Sequence, residues 1–151
     1  MKRLIPIACD HGGFAMKQYI IERLIESGYE VKDYGTFSEE SVDYPEIAKT
    51  VALEVKSGQA EKGILICRSG IGMSMVANKF KGIRCAKCND EQEAKFSRMH
   101  NDANMLALGA DYMDVNKAVR IVRTWIATGF EGGRHEQRIK IIEEIENENM
   151  K

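Results

Sequence analysis

The sequence shows no marked excess of either charge. Its 22 basic residues nearly balance 23 acidic ones, which gives a formal net charge of −1 at pH 7. Proteins that bind nucleic acids or anionic membrane surfaces usually carry a clear basic excess or basic stretches. We therefore expect no nucleic-acid partner and no membrane partner.

Long apolar segments are also missing. The first apolar run, residues 4–9, is interrupted by Asp10 and His11, so it is too short for a signal peptide or a membrane span. We expect a cytoplasmic protein, and in that compartment cysteines are normally free thiols. The cysteines are Cys9, Cys67, Cys85 and Cys88.

Segments typical of strands alternate with segments typical of helices along the whole chain. The predicted strands are 4–9, 29–34, 63–67, 83–87 and 105–108. The predicted helices are 14–27, 44–58, 71–80, 90–99, 114–128 and 134–149. This alternation predicts one α/β domain over residues 1–151, with a mostly parallel sheet and helices on both faces.

Chemically active residues follow two of the predicted strands. Asp10 and His11 come directly after the first strand, while Cys67, Arg68 and Ser69 end or follow the third. In open parallel sheets, ligands bind beyond the carboxyl ends of the strands. The sequence therefore predicts a ligand site at this edge of the sheet.

Cys67 stands in a context that suits a reactive thiol. Gly70 and Gly72 allow the backbone to approach a ligand closely, and the start of the predicted helix at Ile71 favours an anion. The stretch by itself leaves a second interpretation open, in which Cys67 is a small apolar side chain that closes a buried strand.

Histidines and arginines supply further candidates. His11 and His100 lie in polar loops and could transfer protons, whereas a structural role is favoured for His135. Arg134 and Arg138 share one helix face after a glycine pair and could clamp a phosphate. The alternative for these arginines is a solvated basic surface.

Neither a metal nor a redox cofactor is expected. Cys85 and Cys88 would point to opposite faces of a strand, and no second cysteine pair or histidine–carboxylate group stands at metal-ligand spacing. The candidates instead suit proton transfer next to a carbonyl group, on a small phosphorylated substrate held by cations.

The sequence resembles the ribose-5-phosphate isomerase B family, which also contains galactose-6-phosphate isomerase subunits. The motifs that carry the resemblance cover nearly the whole chain. They are CDHGGF from Cys9, VDYP from Val42, GILIC from Gly63, GIGMS from Gly70, ANK from Ala77, GIR from Gly82, SRMHNDAN from Ser97 and FEGGRH from Phe130.

The resemblance implies a Rossmann-like three-layer sandwich around a five-stranded parallel sheet. It implies a homodimer, or a dimer of dimers, with shared active sites, in which the segment of His100 and Asn101 serves the other protomer and the C-terminal helix docks on it. The implied activity is the cofactor-free interconversion of ribose 5-phosphate and ribulose 5-phosphate through an enediolate.

The resemblance also implies residue roles. Cys67 is the base that moves a proton between C1 and C2, and Ser69 assists at the enediolate. His100, with Asp10 nearby, opens the sugar ring. The other implied contacts are the backbone N–H groups of Gly70, Ile71 and Gly72 at the enediolate, His11, Arg134 and Arg138 at the phosphate, and Asn101 at the sugar.

The chain departs from the family pattern at two positions. Arg68 stands where the family usually has glycine, and Asp111 stands where it usually has a phosphate-binding arginine. We predict that Arg68 replaces the lost cation. The alternative is that Arg68 points to solvent and Asp111 merely ends a strand.

These departures leave other functions open. The substrate could be another sugar phosphate, such as a tetrose 4-phosphate, allose 6-phosphate or galactose 6-phosphate. The chain could also be a non-catalytic partner subunit of such an enzyme. The presence of Cys67, Ser69 and His100 argues against that last possibility, because binding alone needs neither a thiolate nor a ring-opening group.

Overall fold

Five short segments form one sheet in a computed structural model that describes residues 3–37 and 43–150. Val42, the first residue of the VDYP motif, lies outside the described residues. The strands are β1 (Leu4–Cys9), β2 (Glu30–Asp33), β3 (Gly63–Cys67), β4 (Cys85–Lys87) and β5 (Met105–Gly109). Every residue of β3 and β5 is buried, as expected for uninterrupted apolar strands that are covered on both faces.

The sheet is entirely parallel. Its strand order is β2-β1-β3-β5-β4, so the chain leaves β1 in one direction to form β2 and then crosses over to β3 on the other side. The crevice between the carboxyl ends of β1 and β3 is thus the topological switch point, where ligands of such sheets bind. The predicted site residues Asp10 and Cys67 lie at this crevice.

Helices cover both faces of the sheet, which confirms the predicted Rossmann-like three-layer architecture. The helices are α1 (Phe14–Glu26), α2 (Tyr44–Lys56), α3 (Ile71–Ala77), α4 (Glu91–Met99), α5 (Val115–Ala127) and α6 (Arg134–Asn149). One core layer joins α1, α4 and α5 to the sheet around the fully buried Trp125. The other joins α2 and α3 to it around Leu65 and Met73. Each such large apolar side chain contributes roughly 1.5–3 kcal/mol by leaving water.

Local signals explain where several elements begin. The Asp90 and Asp114 side chains accept hydrogen bonds from backbone N–H groups in the first turns of α4 and α5, at 2.7 and 2.8 Å. The predicted start of the fourth strand at residue 83 is wrong by two residues. The N–H of Arg84 donates to the Asn104 side chain at 2.7 Å instead of a strand neighbour, so β4 begins at Cys85.

Helix α6 packs on its own chain far less than the other long helices do. Only His135 and Ile139 of its 16 residues are buried. Ile141, Ile142 and Ile145 stay exposed, at 46%, 39% and 53% of their surface. Within the described part of the chain, no helix is both long and apolar enough to cross a membrane.

Candidate active site

Cys67 ends β3, at the carboxyl edge of the sheet. Its side chain is buried, and its sulfur accepts a hydrogen bond from the backbone N–H of Gly70 at 3.0 Å. Gly70 has φ of +78°, and a Cβ there would lie 3.0 Å from the carbonyl carbon of Leu108. Only glycine suits this turn, and the turn aims a backbone N–H donor at the Cys67 sulfur.

The other three cysteines lie where burial disfavours a thiolate. Burial raises the pKa of the Cys9 and Cys88 thiols to about 11 and that of Cys85 to about 12. All four cysteines are free, as predicted. Cys85 and Cys88 pack into opposite core layers, which confirms that they face opposite sides of the sheet.

Asp10 and His11 form the turn that follows β1. The buried Asp10 carboxylate accepts hydrogen bonds from the N–H groups of Gly12 and Gly13, at 2.9 and 3.2 Å. Its own N–H donates to the carbonyl of Ile66 at 3.0 Å, which ties the turn to β3. The buried Nδ1 of His11 has no hydrogen-bond partner among the described residues.

Tyr44 and Met75 also line the open cavity at this edge, which has a volume of about 450 Å³. Sequence reasoning gave neither a role. A Cβ at Gly72 would lie 2.7 Å from the Tyr44 ring, so the missing side chain of Gly72 makes room for that ring. We call Asp10, His11, Cys67, Ser69 and the turn of residues 70–72 the carboxyl-edge group.

Arg68 and Asp111, the two departures from the family pattern, contact each other. Arg68 Nε lies 3.3 Å from Asp111 Oδ2, and the N–H of Asp111 donates to the carbonyl of Arg68 at 3.0 Å. Both side chains are more than half exposed. An exposed ion pair of this kind contributes about 0–1 kcal/mol, so Arg68 can exchange Asp111 for a stronger anion.

His100 lies at the opposite edge of the sheet. Helix α4 runs back from the end of β4 to the start of β5, and the carbonyl of Asn104, just before β5, accepts from the N–H of Gly63 at 3.1 Å. The residues between α4 and β5 therefore lie at the amino ends of the strands. Asp10 and His100 therefore lie at opposite edges of the sheet in one chain. The expected approach of Asp10 to His100 requires a second protomer.

The start of α6 joins His100 at this edge. The N–H of Glu131 donates to the carbonyl of Met99 at 3.0 Å, and the His135 and His100 rings stack with centroids 4.4 Å apart. Burial, together with His100 and Arg134, lowers the pKa of the His135 imidazole. The imidazole of His135 therefore favours the neutral form.

Sequence spacing indicated no histidine–carboxylate group, but the fold brings one together at the amino edge. Ligand atoms of His100, Glu131 and His135 lie within 4.8 Å of one another. Positions 100, 131 and 135 are too far apart in sequence for a spacing rule to find them. The two rings are inclined by only 17°, so their in-plane lone pairs do not converge on one ion in this arrangement.

Arg134 and Arg138 are exposed in the first turns of α6, and neither forms an ion pair with any described residue. We call His100, Asn101, Glu131, Arg134, His135 and Arg138 the amino-edge group. The two groups lie at opposite ends of the strands. The five-residue strand β3 is about 16 Å long at roughly 3.3 Å per residue, so the groups are separated by about this distance. One chain does not bring them together.

Fold and site together define an enzyme of the sugar isomerase type. Residues 5–142 match the family model described as Ribose/Galactose Isomerase, and the chain belongs to this family.

Particular relatives are similar over nearly their whole lengths. Ribose-5-phosphate isomerase B of Escherichia coli K12 is 47% identical, over 94% of this chain and 95% of that protein. The solved ribose-5-phosphate isomerase B of Clostridium thermocellum is 48% identical with a TM-score of 0.94, over 96% of this chain and 98% of that one. The Mycoplasma genitalium enzyme, solved with bound ribulose-5-phosphate, is 38% identical with a TM-score of 0.93, over 97% of both chains.

Proposed function

We propose that the chain is an aldose–ketose isomerase that interconverts ribose 5-phosphate and ribulose 5-phosphate without a cofactor. The observation that carries this proposal is the buried Cys67 sulfur, which accepts an N–H bond at the switch point of the sheet. The Cys67 thiolate takes the proton from C2 of the open-chain aldose, and the electron pair moves into an enediolate. The same thiol then returns a proton to C1, while the proton on O2 moves to O1, which yields the ketose.

The turn that follows Cys67 supports the charged intermediate. Ser69 and the N–H groups of residues 70–72 are the donors assigned to the enediolate oxygens. The N–H groups of Gly70 and Ile71 donate to the Cys67 sulfur and to Ser69 Oγ in the structure, so they exchange these partners for the enediolate. Ser69 Oγ accepts from the N–H of Ile71 at 3.1 Å, which fixes the hydroxyl next to this turn. Fixed donors aimed at developing negative charge are an effective means of lowering such a barrier.

Two protomers share each active site in this proposal. A twofold axis places the same surface of each protomer against the other, so the amino-edge group of one can cover the carboxyl-edge group of its partner. The apolar residues Ile141, Ile142 and Ile145 on α6 suit docking on that partner, as do Ile71 and Met75 beside the cavity. His100 then opens the sugar ring, and Asn101 contacts the sugar.

The phosphate is bound by cations from both protomers. His11 contributes its imidazole from the carboxyl edge, and Arg134 and Arg138 reach the phosphate from the other protomer. Arg68 releases Asp111 and supplies a further cation, in place of the arginine usual at position 111. The four free thiols suit a cytoplasmic enzyme.

The Arg68–Asp111 pair also favours a second candidate function. It alters the rim of the cavity that the sugar phosphate would enter, so the preferred substrate could be a tetrose 4-phosphate or a six-carbon sugar phosphate. The reaction type stays the same, because Cys67 and the turn after it are unaffected by the pair.

Solvent deuterium incorporation tests both candidates. Purified protein is mixed with four-, five- and six-carbon sugar phosphates in heavy water, and NMR follows exchange and isomerisation. We expect rapid exchange on ribose 5-phosphate that disappears in Cys67→Ala and persists in Cys9→Ala, the matched buried thiol at the end of β1. Exchange confined to another sugar would select the second candidate, and exchange on none would overturn both.

A further inference from the structure

The turn that carries His100 and Asn101 is held by two arginines that converge on one carboxylate. Arg98 Nη1 donates to Asp102 Oδ1 at 2.9 Å, and Arg84 Nη2 donates to Asp102 Oδ2 at 3.4 Å. Each oxygen of the Asp102 carboxylate thus faces a different guanidinium group. We call Arg84, Arg98 and Asp102 the arginine clamp.

The same two arginines also bind the backbone of the turn. Arg84 Nε donates to the carbonyl oxygens of Asn101 and Asp102, at 3.1 Å each. Arg98 Nη1 donates to the carbonyl of Ala103 at 2.6 Å. Three successive carbonyl groups after His100 are therefore fixed by side chains from α4 and from the segment before β4.

The backbone of Asp102 needs this support. Its φ is +46°, and no other residue except glycine has a positive φ within residues 3–37 and 43–150. The left-handed region disfavours residues with a side chain, although aspartate and asparagine tolerate it best. The clamp holds Asp102 in this conformation two residues from His100.

The Arg98 side chain is only 8% exposed, and a buried charged side chain is unusual in a turn that has only a structural role. A buried cation is tolerated when it is paired and hydrogen-bonded, and Asp102 supplies that pairing. The His100 ring in front of the clamp lies between Phe96 and His135, with centroid distances of 5.0 and 4.4 Å. The clamp and this stack together leave the ring little freedom.

We propose that Asp102 is a positioning residue for His100, in an inference that rests on the proposed function. Ring opening is needed only for ribose 5-phosphate, which is mainly a closed ring. Ribulose 5-phosphate is open-chain, because phosphorylation of its C5 oxygen removes the hydroxyl that would close a five-membered ring on C2. A loosened His100 therefore slows the aldose reaction and leaves proton exchange on the ketose intact.

Asp102→Asn separates these two rates. Asparagine keeps the size of the side chain and tolerates the left-handed backbone, but it lacks the charge that both arginines face. We expect kcat on ribose 5-phosphate to fall by about tenfold to a hundredfold, since small displacements of a catalytic group have effects of that size. Deuterium exchange into ribulose 5-phosphate should stay close to that of the unchanged protein.

Two further variants complete the test. Arg84→Lys removes the planar fork but keeps the charge, and it should give a smaller loss of the same selective kind. Arg120→Gln breaks the exposed ion pair between Arg120 and Glu91, at 3.1 Å between α4 and α5, and should change neither rate.

Equal loss of both rates in Asp102→Asn would reduce the clamp to a structural role. No loss of either rate would also overturn the proposal. If the protein without substitutions neither isomerised ribose 5-phosphate nor exchanged deuterium into ribulose 5-phosphate, the proposed function would be overturned, and this inference with it.

Discussion

The carboxyl-edge group and the amino-edge group are built by different means. The first depends on backbone turns, in which Gly70 aims its N–H at the Cys67 sulfur and Gly72 leaves room for the Tyr44 ring. The second depends on side chains, with stacked imidazoles and the exposed Arg134 and Arg138 beside them. The proposed function assigns proton transfer to one edge of the sheet and most of the phosphate recognition to the other, so we predict that assembly is a condition of activity.

Loss of the thiol should have the largest effect on this division of roles. Cys67→Ala removes the proposed base, and kcat on ribose 5-phosphate should fall by about 10³-fold, within the range usual for general base catalysis. Steady-state kinetics measures the change. Cys9→Ala, in the same sheet, should retain most of the activity, and comparable losses in the two variants would assign Cys67 a packing role only.

Loss of the imidazole should be somewhat less damaging and more selective. His100→Asn removes the ring-opening group, and kcat on ribose 5-phosphate should fall by about 10²-fold. Deuterium exchange into open-chain ribulose 5-phosphate should survive, because Cys67 performs it. If exchange were lost to the same extent as isomerisation, His100 would belong to the enediolate step.

Loss of a phosphate cation should weaken binding and leave the chemical step intact. Arg138→Gln should raise KM for ribose 5-phosphate by about tenfold, because a hydrogen bond to a charged group contributes roughly 1.5–3 kcal/mol. Lys140→Gln, two residues further along α6, is the matched control and should leave KM unchanged. A fall in kcat at constant KM would contradict the binding role.

The smallest effects concern the pair specific to this chain. Arg68→Gly should raise KM by about fivefold, whereas Asp111→Asn should lower it by about twofold, because an exposed partner contributes at most about 1 kcal/mol. The combination of Arg68→Gly with Asp111→Arg, which restores the usual family pattern, should bring KM back. An unchanged KM in Arg68→Gly would mean that Arg68 does not replace the missing cation.

The carboxyl-edge group was predictable because its signals are local. An uninterrupted apolar run predicts β3, and the glycines after Cys67 predict a close turn, so the position of the thiol follows from a short stretch. The opposite orientation of Cys85 and Cys88 likewise follows from the period of a strand. Local periodicity also predicted the sequence in which strands and helices follow one another along the chain.

The amino-edge group was less predictable because its contacts join distant positions. Stacking of His100 on His135, and the approach of Glu131, depend on where α6 returns to the sheet. One signal was present. Helix α4 leads into β5, so His100, which follows the last residue of α4, had to lie at the amino edge of the sheet. The pairing of Arg68 with Asp111 had no local signal, since the two residues follow different strands.

Subunit complementation tests the shared site most directly. Cys67→Ala and His100→Asn, each nearly inactive alone, are dissociated, mixed in equal amounts and reassembled, and isomerisation of ribose 5-phosphate is measured. Half of randomly paired dimers are mixed, and each mixed dimer holds one intact site of two, so activity should recover to about a quarter of that of the unchanged protein. No recovery, with mixed dimers verified by mass spectrometry, would mean that Cys67 and His100 do not act in one shared site.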